Sequence, residues 1–247
     1  MITVVIPTCD RPGELAATLA ALAEQTRYPQ AVLIVDNGIE PAPLPPTPLP
    51  VTVLRAPVRC GAAQARNMGA ACATTPWIAF LDDDDRWSPD YLERLERAIR
   101  AEPQVSVRLA RMRLTDAQGR SRAEKRYDPA HPRQLLYKCP GLGGSNIAVT
   151  RDAWVRAGGY DPRLPASEDT AFGWALVRNG ETLRSDTDRI TEGRAHTATR
   201  LSDTRNWLRG KLRFWQLHAR EMGMREHAAT LAVIVLGLWR RLRGQGA

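Results

Sequence analysis

FLDDDDRW, residues 80–87, places four acids side by side directly behind an apolar run, WIAFL at 77–81. Carboxylates this close repel one another, so their crowding needs a cause. One cause is a solvated acidic turn. The other is a cation, with an anionic ligand riding on it, that neutralises Asp82, Asp83, Asp84 and Asp85. The apolar run has the length and flanks of a buried strand, which puts the acids at a strand's carboxyl end. The fold therefore turns on where the other strands end.

Ile2 to Ile6 is a β-branched run suited to a fully buried strand. Asp10 then offers a helix cap, Pro12 suits a first turn, and Leu15, Leu19 and Leu22 recur at helical spacing. Ala31 to Val35 is a second strand, ending in Asp36-Asn37-Gly38, and Pro41 to Pro50 an extended surface loop. Val51 to Leu54 is a third strand, Ala62 to Ala71 an Ala-rich helix, and Trp77 to Leu81 a fourth strand. From Pro89 a helix follows, with Leu92, Leu95 and Ile99 on one face. Such alternation predicts an α/β fold with a doubly wound, mostly parallel sheet. Ligands of these sheets sit beyond the strands' carboxyl ends. Thr8 to Asp10, Asp36 to Gly38 and Asp82 to Asp85 all fall at that edge, which points to a nucleotide site.

The second half is less regular. Val105 to Leu114 alternates like a strand, residues 117–120 (AQGR) resemble a hairpin turn, and residues 121–137 read as a polar, mobile loop. Asn146 to Val149 is a strand, Arg151 to Ala157 a short helix, and Asp169 to Arg178 a helix closed by Asn179-Gly180. From Thr204 the chain is mostly helical. The expected organisation is one domain over residues 1–203, split into a nucleotide-binding half (1–115) and an acceptor half (116–203), with a helical extension at 204–247.

Composition sets limits on function. The chain has 247 residues, 43% of them hydrophobic and 25% charged, and a net charge of +8. From Arg200 onward there are ten Arg and Lys against three acids, so the basicity belongs to the tail. That distribution argues against a nucleic-acid partner. Cys9, Cys60, Cys72 and Cys139 form no CxxC pair and read as reduced thiols in a cytoplasmic protein. MITVVIPTCD lacks a basic n-region and reads as a strand, not a signal peptide. The longest apolar run, Ala228 to Trp239, is too short to span a bilayer.

Two acidic constellations have chemistry to offer. Mg²⁺ and Mn²⁺ prefer hard oxygen ligands and take one or two carboxylates plus substrate phosphates. In an extended segment Asp82 and Asp84 would point to one side, one toward a ribose and the other toward a metal. The second pair, Glu168-Asp169, opens a helix, where acids also simply complement the dipole.

VVIPTCDRP, IVDNG, GAAQARNMGA, FLDDDDRWSPDYLE, GGSNIAVTRDAWVRAGGYD and SEDTAFGWALVRNG follow one another in the order of the family 2 glycosyltransferases, and the chain resembles that family across almost all of its first 200 residues. The resemblance implies a GT-A fold and an inverting transferase with a DxD segment. The donor would be a nucleotide-diphospho-sugar, a UDP-sugar being favoured, and the cofactor Mn²⁺ or Mg²⁺. It assigns Pro7 and Thr8 to the base pocket and Asp36 to the base or ribose. Arg66, Asp82 and Asp83 go to the nucleotide, although Arg66 also suits a buried structural ion pair and Asp83, like Asp85, a capping role. Asp84 and His196 would hold the metal. Asp169 would be the base that deprotonates the acceptor hydroxyl, with Glu168 orienting it or touching the acceptor. Asn146 and Arg200 are candidates for the sugar, acceptor or diphosphate; a turn and a solvated tail explain them equally well.

Departures narrow the reading. RFWQ, residues 213–216, is not the QxxRW segment of processive members, so a single transfer to a glycan, glycolipid or small-molecule acceptor is expected. A catalytically degenerate nucleotide-sugar-binding or scaffolding module is the alternative; a sugar nucleotidyltransferase ranks below it because PTCDRPGEL lacks a Gly- and Lys-rich phosphate loop. In the tail, Trp207, Phe214, Trp215 and Trp239 are interleaved with Arg. The tail either folds onto its own domain or a sister subunit, making a homodimer, or lies peripherally on the inner face of a membrane that carries a lipid-linked acceptor.

Overall fold

The computed structural model describes residues 1–115, 121–194 and 204–242. The first half follows the alternation read from the sequence: β1 (Ile2–Thr8), α1 (Pro12–Ala23), β2 (Ala31–Asp36), β3 (Val51–Arg55), α2 (Ala62–Cys72), β4 (Trp77–Phe80), β5 (Arg86–Trp87) and α3 (Tyr91–Ala101). The second contains β6 (Val107–Thr115), β7 (Ser121–Lys125), β8 (Ile147–Thr150), α4 (Arg151–Ala157), α5 (Glu168–Arg178), β9 (Leu183–Arg194), α6 (Thr204–His218) and α7 (Met224–Leu242).

All nine strands among the described residues join one sheet in the order β3-β2-β1-β4-β8-β6-β9-β5, with β7 on β6. β3, β2, β1 and β4 are parallel, whereas β8 runs against both β4 and β6. β1, β2 and β4 are buried on both faces, so each alternates between two cores and not between core and solvent, whereas the edge strand β3 is largely exposed. Val4, Ile6, Val32, Ile34, Trp77 and Ala79 pack toward α1 and α3, with Leu15, Leu19 and Leu22 opposite them. Val5, Leu33, Val35, Ile78 and Phe80 pack toward α2 and α5. Gly69 permits this second layer: a Cβ there would run into Val5 and Val35, so α2 lies directly on the sheet.

Several local expectations change. Asp10 does not cap α1; it adopts a left-handed φ of 54°, its Oδ1 accepts from Ile39 N–H at 2.7 Å, and Arg11 occupies the cap position. Residues 121–137 are not a loose loop. They hold β7 and a 3₁₀ turn at Pro132–Leu136, and Tyr127, Leu135 and Leu136 are fully buried. β6 and β7 pair antiparallel, as a hairpin requires, while its turn lies outside the described residues. β9 had no counterpart in the sequence reading. Its polar run LRSDTDRITEGR is accommodated by partners: Asp186 pairs with buried Arg108 at 3.0 Å, and buried Arg189 lies over the Tyr91 ring at 4.8 Å.

The tail packs onto the domain. Gly210 of α6 lies against the Ala166 carbonyl, Trp174 Nε1 donates to Glu221 at 2.6 Å, and Arg133 holds Glu226 at 2.7 Å. Among the described residues no helix is long and apolar enough to cross a membrane.

Candidate active site

Parallel pairing sets Thr8 beside Asp36 and brings the end of β4 alongside β1, so the three polar clusters meet at one sheet edge. The four aspartates do not continue the strand. Asp85 N–H donates to the Asp82 carbonyl at 3.2 Å, closing a turn in place of the expected extended segment. The turn sorts the side chains. Asp82 and Asp84 remain partly open, at 29% and 15% exposure, while Asp83 and Asp85 are buried.

Asp83 faces inward. Thr8 Oγ1 donates to its Oδ2 at 2.7 Å, and Arg11 approaches its Oδ1 at 3.4 Å. Burial pushes the Asp83 carboxyl up to about 6; Thr8 and Arg11 oppose the rise, and Asp84 and Asp82 add to it. Arg11 also reaches Asp84 Oδ2, at 3.1 Å. Asp85 accepts from Ser145 Oγ, and the same hydroxyl accepts from Asp82 N–H at 3.0 Å. Asp83, assigned to the donor nucleotide, therefore sits within the wall of the site.

Arg66 is the connection between the two acidic constellations. It projects from α2 one turn before Gly69 and is 3% exposed. Its Nη2 lies 2.6 Å from Asp82 Oδ1, and its Nη1 lies 3.2 Å from Glu168 Oε1 and 3.5 Å from Asp169 Oδ1. Tyr160 supports it from beneath, with the guanidinium 5.2 Å from the ring centroid. Asn67 fixes Tyr160 in turn, accepting from its N–H at 2.8 Å and donating to its carbonyl at 2.7 Å. Gly144 closes the other side, because a Cβ there would collide with Arg66 and Asp82.

Ser167, immediately before Glu168, is held in the left-handed region at φ 71°. A non-glycine residue there stores about 1–3 kcal/mol of strain. Asp10, just ahead of Arg11, shares that conformation. Two strained residues thus deliver an acid and a cation to the same edge.

Asp169 is a second carboxylate on which the site holds the proton. Burial holds its pKa well above the usual carboxylate range, and Glu168 adds to the rise; Arg66 pulls the other way, Asp82 raises it further, and a bond from Gly144 N–H lowers it. Its Oδ1 is buried and accepts no hydrogen bond among the described residues, with Arg66 standing off at ion-pair distance. A basic oxygen with an unused acceptor position is what a hydroxyl proton needs.

Other expected residues are placed differently. Asp36 is fully buried: Gly38 N–H and Ala42 N–H each donate to it at 2.8 Å, and Arg55 pairs with it at 2.5 Å. The half-exposed group at that position is Arg55, not the carboxylate. Asn146 is also wholly buried. It donates to the Ala110 and Gly141 carbonyls and accepts from Gly143 N–H, so it fixes the glycine-containing loop and is closed to a sugar. Pro7 and Thr8 are buried at the end of β1. His196 and Arg200 lie outside the described residues.

Among the described residues no three acids, histidines or cysteines are arranged to hold a metal by themselves. The donor set fits one mode of binding: the two open carboxylates, Asp82 and Asp84, with waters and substrate phosphate oxygens completing the shell. Arg11 and Tyr160 went unrecognised in the sequence. Both stand within stretches that carry the family resemblance, but nothing in their spacing foretold a guanidinium on Asp84 or a ring under Arg66.

Comparison with known proteins places the chain in a family. Residues 3–155, more than half of the chain, match the model for Glycosyl transferase family 2. An "Uncharacterized glycosyltransferase" of Haemophilus influenzae is 29% identical over 178 residues, covering 70% of this chain and 60% of that protein. The "Pre-mycofactocin glycosyltransferase" of Mycobacterium tuberculosis is 26% identical over 250 residues, covering 96% of this chain and 50% of the relative. The chain thus spans half to three fifths of the length of these curated relatives. Among solved structures, S. aureus TarS 1-349 in complex with UDP-GlcNAc superposes with a TM-score of 0.65 at 13% identity, covering 94% of this chain and 78% of that one. At that identity the likeness speaks for the fold alone, and it is the GT-A-like architecture described above. With the family model matched over the strands and acids that build this sheet edge, the chain belongs to glycosyl transferase family 2.

Proposed function

We propose that the chain is a metal-dependent, inverting glycosyltransferase that moves one sugar from a nucleotide-diphospho-sugar to a hydroxyl of a glycan, glycolipid or small-molecule acceptor. One observation carries the reading: Arg66 draws the acids behind β4 and the acids opening α5 around a single guanidinium. A donor diphosphate at Asp82 and Asp84 then has its sugar within reach of Asp169.

In this reading Asp84, with Asp82, would hold a divalent ion, which would supply positive charge for the departing diphosphate. His196 is a third ligand only by resemblance. Asp169 takes the proton of the acceptor hydroxyl as its oxygen attacks the anomeric carbon; the bond to the diphosphate breaks on the opposite face, and configuration inverts. Glu168 and Arg66 position Asp169. TarS is solved with UDP and UDP-GlcNAc, which supports a UDP-sugar as the first donor to try.

The test is nucleotide release. Wild-type protein with Mn²⁺ and a panel of UDP-, GDP- and dTDP-sugars should release the nucleoside diphosphate with one donor, faster when acceptor is added. Asp84→Ala at wild-type rate would refute the site.

A further inference from the structure

The tail's inner face is packed on the domain, and its outer face raises a separate question. α7 buries Thr230 and Ile234 while exposing Leu231, Val235 and Leu236 by more than half, with Trp239 nearly half exposed. Their spacing of four, five and eight residues places them on one side of the helix. Met224, 89% exposed, extends the stripe to about 22 Å at 1.5 Å per residue. No charged residue interrupts α7 between Glu226 and Arg240. A continuous exposed apolar stripe of this kind marks an interaction surface.

Charge identifies the partner. Arg205, Arg209, Arg213, Arg220, Arg225 and Arg240 of the tail are all exposed, and none forms an ion pair among the described residues. The two acids of residues 204–242 are both engaged with the body. Glu221 binds Trp174 and Arg178, and Glu226 binds Arg133 and Gly223 N–H. The outward charge of the tail is therefore positive. A second copy pairing through the same face about a two-fold axis would set Arg225 of one copy near Arg240 of the other if antiparallel, and like arginines side by side if parallel; like-charge repulsion opposes both. A convex apolar ridge bordered by arginines suits a deformable, negatively charged lipid surface instead. We infer that α7 lies in the interface of an anionic membrane through Leu231, Val235, Leu236 and Trp239, with the tail arginines on the headgroups. Because Gly210 of α6 rests against Ala166, three residues before Asp169, the docked tail is attached to the loop that delivers the α5 acids. The inference stands on the tail alone and does not rest on the proposed chemistry.

The experiment is flotation of the full chain with vesicles of phosphatidylcholine alone or with about one third phosphatidylglycerol. Binding should be at least about tenfold stronger to the anionic vesicles and should weaken as salt rises. The double substitution Leu231→Gln, Val235→Gln should lower it about tenfold, with circular dichroism unchanged. Arg225→Gln with Arg240→Gln should lower it while leaving the apolar stripe intact. Equal flotation on neutral and anionic vesicles, or none on either, overturns the inference. So does a dimer in sedimentation that the Leu231/Val235 variant dissolves while flotation is unchanged, which would make a second copy the occupant.

Discussion

Arg66 donates to Glu168 at 3.2 Å across 102 residues of sequence. The same side chain holds Asp82 at 2.6 Å, so one buried cation orders acids from both halves of the domain. Removing one partner of a buried charged network leaves the others uncompensated, at a cost of about 3–5 kcal/mol.

Arg66→Met should accordingly lower thermal stability by several kcal/mol and abolish turnover. Arg66→Lys keeps the charge but not the two-nitrogen fork, so it should retain more stability than activity. Melting curves alongside nucleotide release distinguish the two effects. Wild-type turnover in Arg66→Lys would show that bridging is dispensable.

Asp169→Asn is isosteric and keeps the Gly144 contact, yet cannot accept a proton. We expect donor affinity within a fewfold of wild type and transfer reduced by about 10²- to 10⁴-fold. Weakened donor binding with normal turnover would assign Asp169 to the nucleotide instead.

The direction of the Asp169 shift also sets a pH dependence. A base must be deprotonated to act, so kcat/KM should rise with pH through a limb above the usual carboxylate range, because burial and Glu168 hold the proton on. Weakening the positive charge at Arg66 should move that limb further up. A limb near pH 4 would contradict the assignment.

Asp83 should add a pH-dependent contribution to stability in the metal-free protein. Its folded pKa of about 6 lies above the ordinary 3.8, so its contribution is fully present below 3.8 and is lost as pH rises through about 6. At about 1.4 kcal/mol per pH unit across that window, the loss is about 3 kcal/mol. With chelator present, the stability of wild type relative to Asp83→Asn should therefore fall between pH 4 and 7. A flat difference would place the Asp83 proton elsewhere.

Arg11 occupies one oxygen of Asp84, where a divalent ion is proposed to bind, so the two cations compete. Arg11→Gln should bind Mn²⁺ several times more tightly in the absence of donor, read by the loss of the free-ion paramagnetic signal. Weaker Mn²⁺ binding in the variant would show that Arg11 supports the metal site.

The first half of the fold was legible because β-branched runs and leucines at helical spacing have distinct periods, and parallel strands fix which edge their ends share. The sheet edge with its three polar clusters followed directly. β9 was not legible, since the two charged side chains it turns inward, Asp186 and Arg189, are accommodated by Arg108 and Tyr91, contributed by elements far away in sequence. Residues 121–137 misled for a similar reason: Leu135 and Leu136 pack against a core the local pattern does not announce. In the site, residue types were readable but their orientation was not. Asp36 is wrapped by Gly38, Ala42 and Arg55, and Asn146 is taken up by its own loop; both are tertiary facts. The bridge from Asp82 to Glu168 is the extreme case, because nothing local to Arg66 names either partner.

The proposed chemistry requires an activated sugar and a divalent ion to share the acids behind β4. Titration calorimetry of the metal-replete protein with the nucleotide-sugar panel tests this directly. It should give saturable heat with one donor, retained by Asp169→Asn and lost in Asp84→Ala, with both variants folded. No heat from any donor with intact wild-type protein, or undiminished heat with Asp84→Ala, would contradict it.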